Sequence, residues 1–377
     1  PIAYLADRYR RTRIIAVGVV VWSIMTWVCG LARSYFQLFV GRIGVGVGEA
    51  ALAPAAYSLL SDTFDRQRLP KAMAVFSTGS TLGTGLAVVL GGQLLKWLGT
   101  IDQSGWPLIG HLADWQLAFL VAGLPGLLLA IPIWRYLEPV RRGLLQQAAQ
   151  TQPPAARGRL RLAAAYLWQA RRRYLGLFGA IAATTALSSA FILWFPAALM
   201  RSYQLPVATV GLQFGLIFMV FATAGVLAGG WLVARLWPRW GLRTYPRVMA
   251  GAIALAGIAY GLTGLAGTPG WALVGVGVAI FFTQSLAGIC ITAIQLITPN
   301  EMRAQASALF LLFVNLLGYG LGAPIVGALT DFVFHSEQAL FSALALSAAL
   351  LTPLALGCLW WSAGTYGRAE VFVAADH

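Results

Sequence analysis

Two charged side chains, Arg42 and Glu49, lie inside an apolar stretch of the chain, FQLFVGRIGVGVGEAALAPAAYSLLSD, which runs from 36 to 62. This stretch is long and apolar enough to be one membrane-spanning helix. An ionised group in hydrocarbon costs at least ~2.5 kcal/mol, so charges at this depth usually face a bundle interior or a water-filled cavity. Seven residues at about 100° each return Glu49 to the face of Arg42, roughly 10 Å further along the axis. Both charges therefore look into the same space, and we expect them to mark a pathway for a substrate or an ion.

Two interpretations of this pair remain open from the sequence. Glu49 leans toward Arg42, because helical side chains tilt toward the helix N-terminus, so the two could pair directly or through water or a ligand. The alternative to a functional site is a buried ion pair that only locks helix packing. Four glycines, which have no side chains, lie around the pair in the sequence, namely Gly41, Gly44, Gly46 and Gly48. Such glycines permit the close approach of either a neighbouring helix or a substrate.

The composition indicates a polytopic membrane protein. Of the 377 residues, 59% are hydrophobic and only 10% are charged, and the mean hydropathy is +0.75. The net charge of +14 would suggest nucleic-acid binding in a soluble protein, but here the basic residues cluster between apolar spans. Cys29, Cys290 and Cys358 all fall within apolar spans, so we expect neither disulfides nor a metal site from them. Nucleic acid is therefore not expected as a partner.

The apolar spans and the basic loops between them predict the topology. Alternating the loops between two sides places 22 of the 26 basic residues on one side, against Arg33, Lys96 and Arg201 on the other. The positive-inside rule makes the basic loops and the C-terminal tail cytoplasmic. The predicted spans are 14–31, 36–62, 72–97, 115–136, 174–200, 207–234, 246–266, 271–297, 305–334 and 339–362.

The fold class predicted is an all-α membrane protein of two pseudo-symmetric six-helix bundles. The chain opens with six apolar residues before Asp7. We interpret these six residues as the end of the second of twelve helices, and we therefore expect that the first helix and most of the second are missing from this sequence. An offset of 235 aligns Gly83 with Gly318 and Gly85 with Gly320, which indicates an internal repeat. The predicted regions are 1–137 for the N-terminal bundle, 138–173 for a cytoplasmic linker, 174–362 for the C-terminal bundle and 363–377 for a cytoplasmic tail.

The loop LADRYRRTR (5–13) resembles the signature loop between the second and third helices of the major facilitator superfamily, G-x-L-A-D-R-x-G-R-R. Ala3 and Arg10 stand where that pattern has glycines. The resemblance covers nearly the whole chain, and it implies that Asp7, with Arg8 and Arg11 around it, holds a cytoplasmic gate closed. The alternative for these residues is a set of charges that only fixes the topology.

The run GRIGVGVGEAALAPAAYSLLSDTF, followed by FSTGSTLGTGLAVVLGG, more narrowly resembles spinster-type transporters of that superfamily. Their fourth helix has an arginine followed by G-x-G-E-A, and Arg42 and Glu49 match those positions. The resemblance implies transport of amphiphilic lipids such as lysophospholipids or sphingoid phosphates, coupled to protons. It also points to cavity-lining candidates in the helices that line the superfamily's central cavity. These candidates are Tyr57, Thr184, Ser188, Phe191, Gln284, Thr292 and Gln295, and for the hydroxyl residues helix packing is the alternative.

No enzyme is predicted from this sequence. GVGVGEA lacks the GxGxxG spacing and sits at membrane depth, and no HExxH, Walker loop or nucleophile constellation is present. His111, His335 and His377 are far apart, at loops or in the tail, so no metal or other cofactor is expected.

The function predicted is secondary active transport by alternating access between the two bundles. The expected partners are an anionic or amphiphilic small molecule such as a lysolipid, protons and membrane lipids, and we expect a monomer in a bacterial inner membrane. Two alternatives remain, namely a carrier of organic acids, sugars or drugs with the same fold, and a membrane receptor or scaffold that does not transport.

Overall fold

A computed structural model of the chain describes residues 10–63, 69–100, 112–136, 168–298 and 303–366, and every regular element within them is helical. Eight stretches in these ranges are long and apolar enough to cross a membrane. The prediction of an all-α membrane protein is therefore confirmed. In chain order the helices are α1 (Arg11–Gly30), α2 (Tyr35–Glu49), α3 (Leu52–Thr63), α4 (Leu69–Leu98), α5 (Asp114–Arg135), α6 (Arg171–Tyr203), α7 (Val207–Trp240), α8 (Thr244–Thr263), α9 (Pro269–Leu296), α10 (Arg303–Phe313), α11 (Gly320–Ala328) and α12 (Leu340–Ala363).

The prediction of one continuous helix from 36 to 62 is wrong, because a turn at Ala50 and Ala51 separates α2 from α3. Pro54 explains the position of the break. Proline has no backbone N–H, so it cannot donate to the carbonyl four residues earlier, which is that of Ala50. In the first turn of α3 the missing N–H costs nothing, since that donor would have no partner within the helix. Glu49 is consequently the last residue of α2.

Residue contacts divide the chain into two compact units. The first comprises Pro1–Ser80 and Leu90–Gln152, and the second comprises Thr81–Val89 and Pro153–His377. The middle of α4 thus belongs to the second unit. There Gly85 lies so close to the backbone of Gly215 on α7 that a Cβ on it would be 2.7 Å from the Gly215 carbonyl oxygen.

Within the first unit, α1 lies between α2 and α5. The indole N–H of Trp27 donates to the Leu120 carbonyl on α5 at 2.8 Å. The buried amide of Gln116 donates to the Ala32 carbonyl at 3.0 Å and accepts from the backbone N–H of Ala113 at 3.0 Å. These bonds fix the start of α5 against the turn that leads into α2. Ser34 caps α2 by accepting from the N–H of Gln37.

Glycines set the distance between α1 and α2. A Cβ at Gly48 would lie 2.7 Å from the Trp22 backbone nitrogen, and one at Gly18 would lie 2.8 Å from the Gly48 carbonyl oxygen. Gly41 and Gly44 make the same kind of close approach, to Cys29 and Met25 respectively. Gly46, by contrast, has open space at its Cβ position. Three of the four glycines predicted to surround the charged pair therefore serve helix packing, and one faces away from α1.

In the second unit, α6 is the central helix and is largely buried. It packs between α12 and the segment that contains α10 and α11. The hydroxyl of Tyr174, near the start of α6, lies 2.8 Å from that of Thr298, just after α9. Gly225 and Gly229 on α7 face the backbone of Phe281 and Ser285 on α9, a small-xxx-small contact typical of membrane helices.

The helix bounds agree with the repeat predicted at an offset of 235. Helix α4 runs from 69 to 98, and its counterpart runs from 303 to 334 as α10, α11 and two π-helical segments, Val314–Tyr319 and Leu329–Phe334. The side-chain amide of Asn315 donates to the Leu311 carbonyl at 2.8 Å, where the first π segment begins. The amide of Asn315 is thus satisfied by its own helix.

Gly48→Ala should lower the melting temperature of the purified protein, because the added methyl group would clash with the Trp22 backbone and push α2 from α1. Overpacking of this kind costs about 1–3 kcal/mol. Gly46→Ala is the matched control, and it should melt at or slightly above the parent's temperature. Equal melting temperatures for the two variants would show that glycine contacts do not set the distance between α1 and α2.

Candidate functional site

Arg42 and Glu49 lie on one side of α2 and are both exposed. At about 100° per residue, their face is roughly 120° away from the face formed by Gly41, Gly44 and Gly48. Since that glycine face is packed on α1, the two charged groups point to open space beside the helix contact. Gly46 lies on the open side as well. The sequence prediction that the two charges share a face therefore agrees with the helix register.

Neither charged group has a hydrogen-bond or ion-pair partner within the part of the chain that the structure describes. The alternative of a buried ion pair that locks the packing does not fit this arrangement, because both side chains are exposed and separate. Both groups are accessible from the open side of α2.

The helix break gives Glu49 an additional property. As the last residue of α2, Glu49 lies at the carboxyl end of that helix, where the negative end of the helix dipole favours a cation nearby. Interrupted helices whose carboxyl ends face ion sites recur in secondary transporters. The sequence analysis did not predict that a helix ends at Glu49. Pro54, which follows a run of glycines, was the signal that could have indicated it.

The predicted gate residues are only partly described. Asp7 and Arg8 lie outside the described residues, and Arg11 is a buried residue in the first turn of α1, 2% exposed. Arginine is almost never this buried unless it is paired.

The cavity-lining candidates on α6 are in the core of the second unit. Phe191 is fully buried, and its ring lies 4.2 Å from that of Tyr260. Thr184 is buried and donates to the Ala180 carbonyl of its own helix at 2.8 Å. Ser188 is also buried, with its hydroxyl 3.5 Å from that of Tyr260. The contacts of Thr184 and Ser188 agree with the packing alternative, and Phe191 is likewise packed in the core.

Tyr260 and Thr283 were not singled out from the sequence. The Tyr260 hydroxyl lies between those of Ser188 and Thr283, at 3.5 Å from each, and so links α6, α8 and α9 inside an aromatic core. These residues are far apart in the chain, and each is unremarkable within its own span. A local pattern could not have shown the cluster.

The candidates on α9 lie on an open face instead. Gln284, Gly288, Ile291 and Thr292 recur at the i, i+4, i+7, i+8 spacing of one helix face, and Gln284 is half-buried while the other three are exposed. Thr292 donates to the Gly288 carbonyl at 2.9 Å. This face carries no charge. The side chains of Tyr57 and Gln295 lie outside the described ones.

Among the described residues, no group of three or more His, Cys, Asp or Glu side chains is arranged to hold a metal ion. The charged groups of α2 are one guanidinium, that of Arg42, and one carboxylate, that of Glu49.

Comparison with known proteins identifies the family. The profile of the Major Facilitator Superfamily matches residues 1–323. The chain belongs to this superfamily. Its expected spinster-like character is also confirmed, since its relatives include spinster proteins. One relative is the sphingosine-1-phosphate transporter SPNS2 of Danio rerio, which is 26% identical over 87% of this chain and 64% of its own length.

Two further comparisons extend this result. An MFS-type efflux pump of Mycolicibacterium smegmatis is 28% identical over 97% of this chain and 80% of its own length. The crystal structure of a bacterial homologue of the human lysosomal transporter Spinster, inward-facing and unoccupied, covers all of this chain and 86% of its own. Its TM-score is 0.71 at 24% identity, so it supports the superfamily fold.

In a background without native cysteines, Glu49→Cys and Thr292→Cys should react with a charged, water-soluble maleimide in membranes, because both side chains lie on open faces. Ser188→Cys is the control on a buried face and should react far more slowly. If Glu49→Cys reacts as slowly as Ser188→Cys, the open face of α2 is not wet and cannot receive an ion from water.

Proposed function

We propose that this chain is a secondary active transporter that moves an anionic amphiphile and couples the movement to protons. The observation that supports the proposal is the exposed and unpartnered state of Arg42 and Glu49 on one face of an interrupted, apolar helix. In hydrocarbon such groups are tolerated only where water or a ligand reaches them. The superfamily assignment makes transport the reaction to which such a site is suited.

Arg42 is the proposed head-group ligand. Its guanidinium offers several donors in a planar arrangement that matches carboxylate and phosphate oxygens, and it stays charged at every working pH. The roughly 10 Å between Arg42 and Glu49 leaves room for an anion to engage the arginine without displacing the carboxylate.

Glu49 is the proposed proton carrier. We propose that an anion bound at Arg42 compensates the positive charge of the guanidinium and that Glu49 then takes up a proton. Substrate and proton would therefore bind cooperatively, which is the thermodynamic linkage that coupled transport requires.

The amphiphilic character of the proposed substrate is supported by a relative of this chain. SPNS2, a relative over most of this chain, is named for the transport of a lipid phosphate. A lysolipid or a sphingoid phosphate has the corresponding anionic head and apolar tail.

Chain-length dependence separates this proposal from a carrier of organic acids or sugars. Each buried CH₂ adds about 0.8 kcal/mol, so affinity should rise about fourfold per methylene in a series of lysophospholipids. A carrier that recognises only the anionic group would bind all members of the series equally. A receptor or scaffold would bind without moving the ligand across a bilayer.

The remaining parts of the proposal follow from the sequence. Asp7, Arg8 and Arg11 would close the cytoplasmic side, and the basic loops and the C-terminal tail would face the cytoplasm of a bacterium across its inner membrane. The transporter would work as a monomer and without a cofactor.

Arg42→Ala should weaken binding of a lysophospholipid by about tenfold to a hundredfold, since a charge-assisted hydrogen bond contributes about 1.5–3 kcal/mol. Arg42→Lys, which keeps the charge but not the planar donor set, should show an intermediate loss. The measurement is a binding titration on protein in detergent. Equal affinities for Arg42→Ala and the parent would remove Arg42 from the binding site.

Glu49→Gln should retain lysophospholipid binding but lose the stimulation of uptake by an imposed pH gradient in proteoliposomes, because the amide cannot be ionised. Glu49→Asp is the control that keeps an ionisable group, and it should retain part of the stimulation. Gradient-driven uptake by Glu49→Gln at the parent's level would show that another group carries the proton.

A further inference from the structure

A groove runs between α1 and α5 in the first unit, on a side of α1 that is turned away from α2. Its volume is about 540 Å³. Ala16 and Ala130 form its floor and are almost fully buried, while Val17 and Ile131 stand on its walls and are 51% and 53% exposed. Small residues on the floor between larger residues on the walls leave a channel with an apolar lining.

One end of this groove is basic and aromatic. Trp134 and Arg135, both in the last turn of α5, line it there. The guanidinium carbon of Arg13, in the first turn of α1, lies 5.4 Å from the centre of the Trp134 ring. Arg13 and Arg135 are both exposed. Because α1 and α5 run in opposite directions, the two arginines reach the same end of the groove.

The arrangement matches the parts of a phospholipid. Tryptophan prefers the head-group level of a bilayer, and arginines at that level bind anionic lipid head groups. The apolar channel then extends from the head-group level along the acyl-chain region. The positive-inside rule predicts that this end is cytoplasmic, and the cytoplasmic leaflet is the one that carries the anionic lipids.

We infer that the α1/α5 groove binds one anionic phospholipid of the surrounding membrane, with its head group on Arg13 and Arg135 and an acyl chain between Val17 and Ile131. This site is separate from Arg42 and Glu49, which lie on a different helix face, and it does not depend on the proposed transport substrate. Bulk lipid would cover any exposed apolar face, but it would show neither saturation at one molecule nor head-group preference.

Native mass spectrometry of the full chain in detergent tests the inference, with phosphatidylglycerol and phosphatidylcholine of identical acyl chains as probes. The parent should retain one phosphatidylglycerol in preference to phosphatidylcholine. An arginine near an anionic surface contributes about a fivefold gain in affinity, so Arg13→Gln with Arg135→Gln should lower phosphatidylglycerol affinity about 25-fold. Arg239→Gln, which removes an exposed arginine of the second unit, should leave it unchanged.

A second set of variants tests the channel rather than the charge. Val17→Trp and, separately, Ile131→Trp fill the groove from exposed wall positions with both arginines intact, and each should lower phosphatidylglycerol affinity. Melting temperatures near that of the parent verify that the variants are folded. Two wall positions are used because a single folded variant is enough for the test. Equal retention of the two lipids by the parent, or unchanged affinity in the double arginine variant or in a folded wall variant, would overturn the inference.

Discussion

Hydrocarbon solvates neither an ionised side chain nor an unpaired peptide group, and this constraint governs both the architecture and the site. It requires the backbone to form helices within the membrane, as it does throughout the described spans. It also makes any charge at membrane depth costly unless that charge meets water or a partner. Arg42 and Glu49 have no partner among the described residues. We propose that the open side of α2 receives water, protons or a ligand.

The glycines of α2 connect this requirement to the packing. Gly41, Gly44 and Gly48 let α2 approach α1 at backbone distance, and this contact fixes the rotation of α2 about its own axis. The rotation in turn directs Arg42 and Glu49 away from the contact. Helix α1 is held on its other side by α5 through Trp27 and Gly123. The first unit can therefore be described as a support that presents two charges on one open helix face.

The elements of the fold were largely predictable from the sequence, because apolar span length and loop charge are strong signals in membrane proteins. The shared face of Arg42 and Glu49 was predictable for the same reason, since it depends only on helix periodicity. The break after Glu49 was missed because an apolar span of the right length conceals a turn, and only Pro54 indicated it. That break places Glu49 at a helix end, and counting apolar spans cannot predict a helix end inside a span.

Side-chain environments that depend on distant segments were not predictable. Phe191 and Ser188 fall in a helix that the superfamily resemblance associates with the cavity, yet they are buried against Tyr260 from another helix. Thr292, on α9, has an exposed position with the same type of polar group. The difference arises from how α6 and α9 are rotated in the second unit. Residue type and span membership cannot determine that rotation, which depends on contacts such as those of Gly225 and Gly229 with α9.

We propose that an anion bound at Arg42 promotes protonation of Glu49. Isothermal titration calorimetry of lysophospholipid binding, at one pH in buffers of different ionisation enthalpy, measures the protons taken up on binding. The account predicts a net uptake of up to about one proton in the parent and none in Glu49→Gln, with binding retained in both. A binding enthalpy that does not depend on the buffer in the parent, or that depends on it equally in the variant, would contradict the account.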